Sequence, residues 1–223
     1  MCKITYEAEK GKTGIGSGFF CEMNNFLFKY ALYTNNHILN ESNIKIGKVI
    51  HFECLELQES LFNKSFNKIK KEIKITDKRQ VFTNKELDYT FIELFESDGI
   101  IDYFKIEPKL FSSNKNDFKD NDIFILQYPY GNDLSFSYGK IKLLRDYKII
   151  HTASTDYGSS GSPIIRRSKD NYIIGLHSGG ALNNNNKEFV YNFGTLFDSI
   201  LDNIIEKSNT INCIYIPDKY GDK

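Results

Sequence analysis

The chain has no excess charge of either sign. Its 223 residues carry 29 Lys+Arg and 29 Asp+Glu, for a formal net charge of zero. Polyanion binding needs a basic face, so nucleic acid is not an expected partner. The densest basic stretch, NKSFNKIKKEIK at 63–74, contains Glu72 and alternating apolar residues, and reads as a solvated strand or loop. Long hydrophobic runs are missing as well. No segment approaches the roughly 18 apolar residues of a spanning helix, and the opening MCKITYEAEKGK has no apolar signal core. No membrane partner is expected, and the expected location is cytoplasmic. Cysteine is sparse: Cys2, Cys21, Cys54 and Cys213 are scattered with no CxxC pair, which points to free buried thiols rather than a disulfide framework. The histidines, His37, His51, His151 and His177, are equally dispersed, so no metal site is expected, and no cofactor.

What the chain does contain is a succession of short runs rich in Ile, Val, Phe, Tyr and Thr, separated by Gly, Asn, Asp and Lys. Six fall at Lys3–Glu7, Ser17–Met23, Phe26–Thr34, Lys48–Leu57, Glu72–Thr76 and Asp88–Leu94. Six more fall at Asp122–Tyr128, Phe136–Leu144, Tyr147–Ser154, Ser162–Arg167, Tyr172–Ser178 and Glu188–Phe193. The two series are joined by IDYFKIEPKLFSSNKNDFKD. The expected fold is all-β: two six-stranded antiparallel β-barrels, one over residues 1–105 and one over 106–223. Near the end TLFDSILDNIIEK spaces Leu196, Ile200 and Ile204 at i, i+4, which predicts a C-terminal helix capped at or beside Thr195. The tail INCIYIP is expected to return as an edge strand, and the Asn183–Asn186 run to be a loop tip.

One stretch raises a chemical question. TDYGSSGSPII, Thr155 to Ile165, crowds three serines among glycines before a proline. Such clusters are usually turns. A nucleophilic serine would need a base, and histidine is suited to that near neutral pH. It would also need a carboxylate to orient the imidazole. His37 follows an apolar run in ALYTNNHIL, where a strand end can face a cleft, although a loop histidine reads the same way. Asp88 in KELDYTFIEL opens a strand at a sheet rim, with Asp77, Glu93 and Asp98 as competitors.

The order His37, Asp88, serine is that of chymotrypsin-type proteases. GIGSGFF resembles that clan's first core strand, TNNHIL its histidine motif and DYTFIEL its aspartate motif. ILQYPYGNDLSFSYGKI resembles the opening of its second barrel, GSSGSP its nucleophile motif and GLHSGG the strand lining its specificity pocket. Six motifs in one order identify a resemblance to the trypsin/chymotrypsin-like serine peptidases, and within them to the bacterial glutamyl endopeptidase and trypsin-like peptidase groups. The resemblance implies a two-barrel serine endopeptidase acting on a protein or peptide. His37, Asp88 and Ser160 would be its catalytic residues, and the N–H groups of Gly158 and Ser160 its oxyanion hole. Counting back from Ser160 puts Ser154 and Thr155 at the pocket, with His177 opposite. Thr155 and His177 resemble a pair that reads a Glu or Gln side chain at P1, though His177 also reads as a packed strand histidine. Ser178, Gly179 and Gly180 would offer an edge to substrate backbone.

The chain departs from the family in two ways. Ser159 stands where trypsin-type zymogens carry the aspartate that pairs with a new N-terminus, so that activation route is not expected. The hole would be built on folding, or ordered by substrate or by an activating partner of unknown identity. Ile38 replaces a cysteine, removing the family's disulfide beside the histidine. A catalytically inactive module binding extended peptides on the same fold is the alternative.

Overall fold

The computed structural model describes residues 1–7, 11–23, 27–59, 64–111, 114–182 and 189–212. Fourteen strands and one α-helix are present among them. The first group is β1 (Cys2–Glu7), β2 (Thr13–Glu22), β3 (Tyr30–Thr34), β4 (Val49–Glu59), β5 (Lys64–Lys74), β6 (Val81–Asn84), β7 (Tyr89–Leu94) and the two-residue β8 (Phe104–Lys105). The second is β9 (Asp122–Gln127), β10 (Ser135–Arg145), β11 (Lys148–His151), β12 (Pro163–Arg166), β13 (Ile173–Leu182) and β14 (Phe189–Leu196), followed by α1 (Phe197–Asn212).

The second group closes into a six-stranded barrel, β10-β11-β14-β13-β12-β9, all antiparallel. The first does not close. It is an eight-stranded sheet with the path β5-β4-β1-β2-β3-β7-β6 and β8 parallel to β2. The expected pair of closed barrels is corrected here, and the reason is local. After β5 the chain turns at Thr76–Arg79, and the buried Arg79 guanidinium grips the Asp98 carboxylate at 2.8 Å and the Glu93 carbonyl. β7 is laddered on both sides, to β3 and to β6, and the Gln80–Glu93 hydrogen bonds extend the second of these; the path ends at β5 and β6, which share no ladder among the described residues. The basic stretch is indeed a strand: 64–74 pairs along its length with β4 and leaves most side chains in solvent.

The inner strands of the first sheet are apolar on both faces because they separate two cores. Phe20, Leu32, Ile92 and Leu94 pack inside the sheet with Ile4, Phe52 and Ile73. Phe19, Tyr33 and Phe91, one residue away in each strand, point the other way. They join the isoleucines of the second barrel and Phe197, Ile200 and Ile204 of α1 in one continuous core. Phe197 sits 4.7 Å from the Tyr33 ring and 6.0 Å from Phe19, so the helix seals one sheet against the other. Thr195 does not cap it: that residue is in β14, and its hydroxyl donates to the Leu87 carbonyl. Residues 211 and 212 of INCIYIP belong to the helix, and the rest of that tail lies outside the described residues, as does the Asn183–Asn186 run.

Cys2, Cys21 and Cys54 are free and buried, while Cys213 lies outside the described residues. Burial pushes the Cys2 thiol up to about 12. Among the described residues no helix is long and apolar enough to cross a membrane, and no cluster of His, Cys, Asp or Glu could hold a metal ion.

Candidate active site

His37 lies just past β3. The segment turns there because the N–H groups of Ile38 and Leu39 both return to the Asn35 carbonyl, and the buried Ile38 and Leu39 side chains anchor the far side. The imidazole is left at the surface. Asp88 immediately precedes β7 in the left-handed region, φ 49°, a conformation that Asp tolerates better than most residues. From there its carboxylate meets His37 twice. Oδ1 accepts from the backbone N–H at 3.1 Å, and the two oxygens lie 3.0 and 2.9 Å from Nδ1. A carboxylate on Nδ1 fixes the tautomer with the proton there and leaves Nε2 with a free lone pair. Two of the three competing carboxylates are engaged elsewhere, Asp98 with Arg79 and Glu93 with the Gln80 N–H.

Asn35 carries the arrangement across to the second barrel. Its fully buried amide donates to the Asp88 carbonyl at 2.8 Å and reaches the Ser178 hydroxyl at 3.4 Å. The Ser178 carbonyl in turn accepts from the Ser160 hydroxyl at 3.0 Å. His37, Asp88 and Ser160 are therefore joined through Asn35 and Ser178. Among the hydrogen bonds of the described residues, none runs directly from Ser160 to His37.

The loop bearing Ser160 is tied to itself. The Ser159 hydroxyl accepts from the Asp156 N–H, the Ser159 N–H donates to the Asp156 carbonyl, and the Ser162 N–H donates to the Ser159 carbonyl. Ser159 is thus a buried internal clasp in the place of the zymogen aspartate. The orientation of two peptides follows. The Tyr157 carbonyl is taken by the Tyr130 N–H at 2.5 Å, which sends the Gly158 N–H the opposite way. The Ser159 carbonyl is taken by Ser162, which does the same for the Ser160 N–H. Neither N–H has a protein acceptor among the described residues, so two adjacent donors stand open. Gly158 (φ 89°) is required for a reason the sequence did not suggest. A Cβ there would lie 2.7 Å from the Tyr128 carbonyl oxygen, so it would strike the neighbouring turn. At Gly161 (φ 88°) a Cβ would lie 1.9 Å from the Ser17 carbonyl oxygen.

The expected pocket residues sit around a buried polar seam. Ser154 is exposed, with its carbonyl bound to the Gln127 amide. The Thr155 hydroxyl donates to Asn192 Oδ1 at 2.9 Å, and Asn192 Nδ2 donates to the Ala153 carbonyl. His177 is almost wholly buried, its Nδ1 3.2 Å from Nε2 of the fully buried His151. Desolvation lowers the pKa of His151 to about 4. Burial drives that of His177 well down, helped by His151, while the backbone of Phe193 partly opposes the fall. Both rings are neutral near pH 7. Ser178, Gly179 and Gly180 lie on β13, where Gly179 and Gly180 pair with β14. The ladder to β12 ends at Leu176, so on that side residues 178–180 have no strand partner among the described residues. Sequence reading missed Asn35, Ser17, His151 and Asn192. Each left a signal of the same kind, a polar residue inside or at the end of an apolar β run.

A family profile described as a trypsin-like peptidase domain matches residues 16–176, well over half of the chain. The chain belongs to that family. Two solved structures share the architecture of this peptidase domain. One is the serine endoprotease from Yersinia pestis, with a TM-score of 0.60 and 12% identity over 92% of this chain and 61% of that one. The other is Rv3671c from M. tuberculosis H37Rv, in the inactive form of a serine-to-alanine mutant, with a TM-score of 0.58 and 13% identity over 94% of this chain and 87% of that one. The domain thus spans about three fifths of the Yersinia protein's length. At these identities the likeness is one of fold, which is chymotrypsin-like. No curated protein matches in sequence.

Proposed function

We propose that this trypsin-like peptidase domain is an active serine endopeptidase, with residues 1–105 supplying His37 and Asp88 and residues 106–223 supplying Ser160. The observation that carries the reading is the His37–Asp88 contact, which commits Nδ1 at 2.9 Å and leaves Nε2 as a base. Substrate entry would turn the Ser160 hydroxyl from the Ser178 carbonyl to that nitrogen. Ser160 then attacks the scissile carbonyl as His37 takes its proton. The Gly158 and Ser160 N–H groups receive the oxyanion, a type of contact worth ~3–4 kcal/mol per donor. His37 returns the proton to the leaving amine, and Asp88 stabilises the imidazolium. Water repeats the sequence on the acyl-enzyme. An extended substrate would add a strand along Ser178–Gly180. No cofactor takes part.

At P1 the reading is Glu or Gln, met by Thr155, beside Ser154 in sequence, and by His177, in the manner of glutamyl endopeptidases. For this to occur the Thr155 hydroxyl would have to leave Asn192, and the buried His177 ring would have to be reached. The neutral state of His177 favours the Gln amide over a Glu carboxylate, because a buried carboxylate without a cation is costly. The self-tied nucleophile loop supports a hole built on folding, with no new N-terminus needed. A raised activity after limited proteolysis would argue for an activation step instead, and a purified cellular partner that raised it would identify the activator. A cytoplasmic setting belongs to the same proposal, on the strength of three free thiols.

Labelling with a phosphonofluoridate tests the proposal. Wild type should be modified and Ser160→Ala should not. The Ser160–Ser178 hydrogen bond favours a second reading, an inactive module that binds extended peptides, and an unlabelled wild type that still bound peptide would establish it. Cleavage of a peptide library should then favour Gln or Glu at P1 and lose that preference in His177→Ala; cleavage after Arg or Lys would reject the pocket assignment.

A further inference from the structure

We infer that Ser17 is a positioning residue for the oxyanion site, acting through the backbone of Tyr128 and Gly158. The inference rests on the hydrolase reading and deepens it.

Ser17 lies in β2 of the first sheet, fully buried between Gly16 and Gly18 in the apolar middle of the strand. All three of its polar groups are committed, and all but one of the partners lie in the second barrel. Its N–H donates to the Ser160 carbonyl at 2.7 Å. Its hydroxyl donates to the Gly158 carbonyl at 2.8 Å and accepts from the Tyr128 N–H at 3.2 Å. Its carbonyl accepts from the Thr34 hydroxyl at 2.8 Å, three residues before His37. One side chain thus joins the nucleophile loop to the turn at 128–131.

That turn is what aims the Gly158 N–H. The Tyr130 N–H holds the Tyr157 carbonyl, and a planar trans peptide then directs the Gly158 N–H away from Tyr130. The turn can do this only if it stays seated. Its own conformation is unfavourable, with Tyr130 at φ 54° and Gly131 at φ 71°. Besides the Ser17 hydroxyl it is held by Lys3 on the Gly131 carbonyl and by the Tyr130 hydroxyl on Asp156. Both of those partners are at or near the surface, while the Ser17 hydroxyl is the one buried anchor of the set. In its absence the Gly158 carbonyl and the Tyr128 N–H would both be buried and unpaired. With the Tyr128 N–H released, the turn can withdraw Tyr130 from the Tyr157 carbonyl, and the Tyr157–Gly158 peptide is then free to rotate, which removes one of the two open donors.

Ser17→Ala deletes a single oxygen from a packed strand, and Ser17→Cys replaces it with a group of similar size that hydrogen-bonds weakly. In both, kcat should fall ~10- to 100-fold with KM within about twofold of wild type, the pattern of a contact made to the transition state alone. The Tyr128 amide should exchange with solvent faster in both variants. Full kcat in Ser17→Cys would show that the site needs only the volume, and kcat unchanged in Ser17→Ala would overturn the role outright. The amide exchange separates the two ideas. If the wild type is not labelled by phosphonofluoridate, the hydrolase reading fails and the catalytic part of this inference with it. Faster Tyr128 exchange in Ser17→Ala would then still establish the brace, and unchanged exchange would overturn it.

Discussion

The carbonyl oxygen of Ser178 accepts the Ser160 hydroxyl at 3.0 Å, while Nδ1 of His37 is already committed to Asp88. On the proposed mechanism the base is therefore oriented before any substrate arrives, and the nucleophile is parked. Of the two, orientation of the base is the part that a single substitution can remove without disturbing the serine. Asp88→Asn keeps the size of the side chain but turns one of the two oxygens at His37 Nδ1 into an NH2 that can only donate, which favours the wrong tautomer, and it leaves the imidazolium without a counter-charge. Peptide hydrolysis should slow by roughly 10³- to 10⁴-fold in kcat, with thermal stability little changed. A rate within tenfold of wild type would remove Asp88 from the mechanism.

Gly158→Ala should cost both stability and rate. The residue sits at φ 89°, and the added methyl would lie 2.7 Å from the Tyr128 carbonyl oxygen and 3.3 Å from the N–H nitrogens of Tyr130 and Gly131. Strain of this kind costs of order 1–3 kcal/mol. The chain would relieve it by moving the loop that presents the two open N–H groups. Denaturant unfolding should show the loss and steady-state kinetics a drop in kcat; an alanine variant with wild-type values for both would show that the loop is softer than its hydrogen bonds indicate.

Much of the site could be read in the sequence because its chemistry is local to short motifs. TNNHIL, DYTFIEL and GSSGSP each place one candidate catalytic side chain at a strand end or turn, and the second barrel follows from six short β-type runs that close as expected. The first sheet was less legible. Whether a sheet closes depends on what happens between Lys74 and Val81, where Arg79 finds Asp98 and Glu93, and that contact spans elements with no common pattern. The buried polar partners were hidden for the same reason. A serine in GIGSGFF or an asparagine in EFVYNF looks like a flaw in an apolar run until the residue that it bonds, more than a hundred positions away for Ser17, is known.

Glu107 is among the least exposed charged groups of the domain, 1% accessible, and its main partner is the Arg166 guanidinium, whose Nε lies 2.6 Å from Glu107 Oε2. The pair ties the segment leading out of the first sheet to β12. Arg166→Met leaves a carboxylate buried without a cation and should cost about 3–5 kcal/mol in denaturant unfolding. The double variant Glu107→Gln/Arg166→Met should recover a good part of that loss. Equal losses in the single and double variants would show that the arginine acts through packing and not through charge.

The two buried histidines give the fold a defined sensitivity to acid. An unfolded histidine titrates near 6.5, whereas burial lowers His151 to about 4 and drives His177 well down also. Between those values the unfolded chain binds more protons than the folded one, so stability falls as the pH drops. Above about pH 6.5 the rings are neutral in both states, and the contribution is fully present and no longer changes with pH. From neutrality to pH 4 the loss from His151 alone is on the order of 3 kcal/mol. His151→Leu cannot take up that proton, and it also relieves His177 of an electropositive neighbour at low pH. Thermal melts of wild type should therefore show a steep decline in Tm from pH 6.5 to 4, and the variant a shallower one. Parallel declines would mean that the acid sensitivity arises at other groups, and that His151 takes up its proton alike in the folded and the unfolded chain.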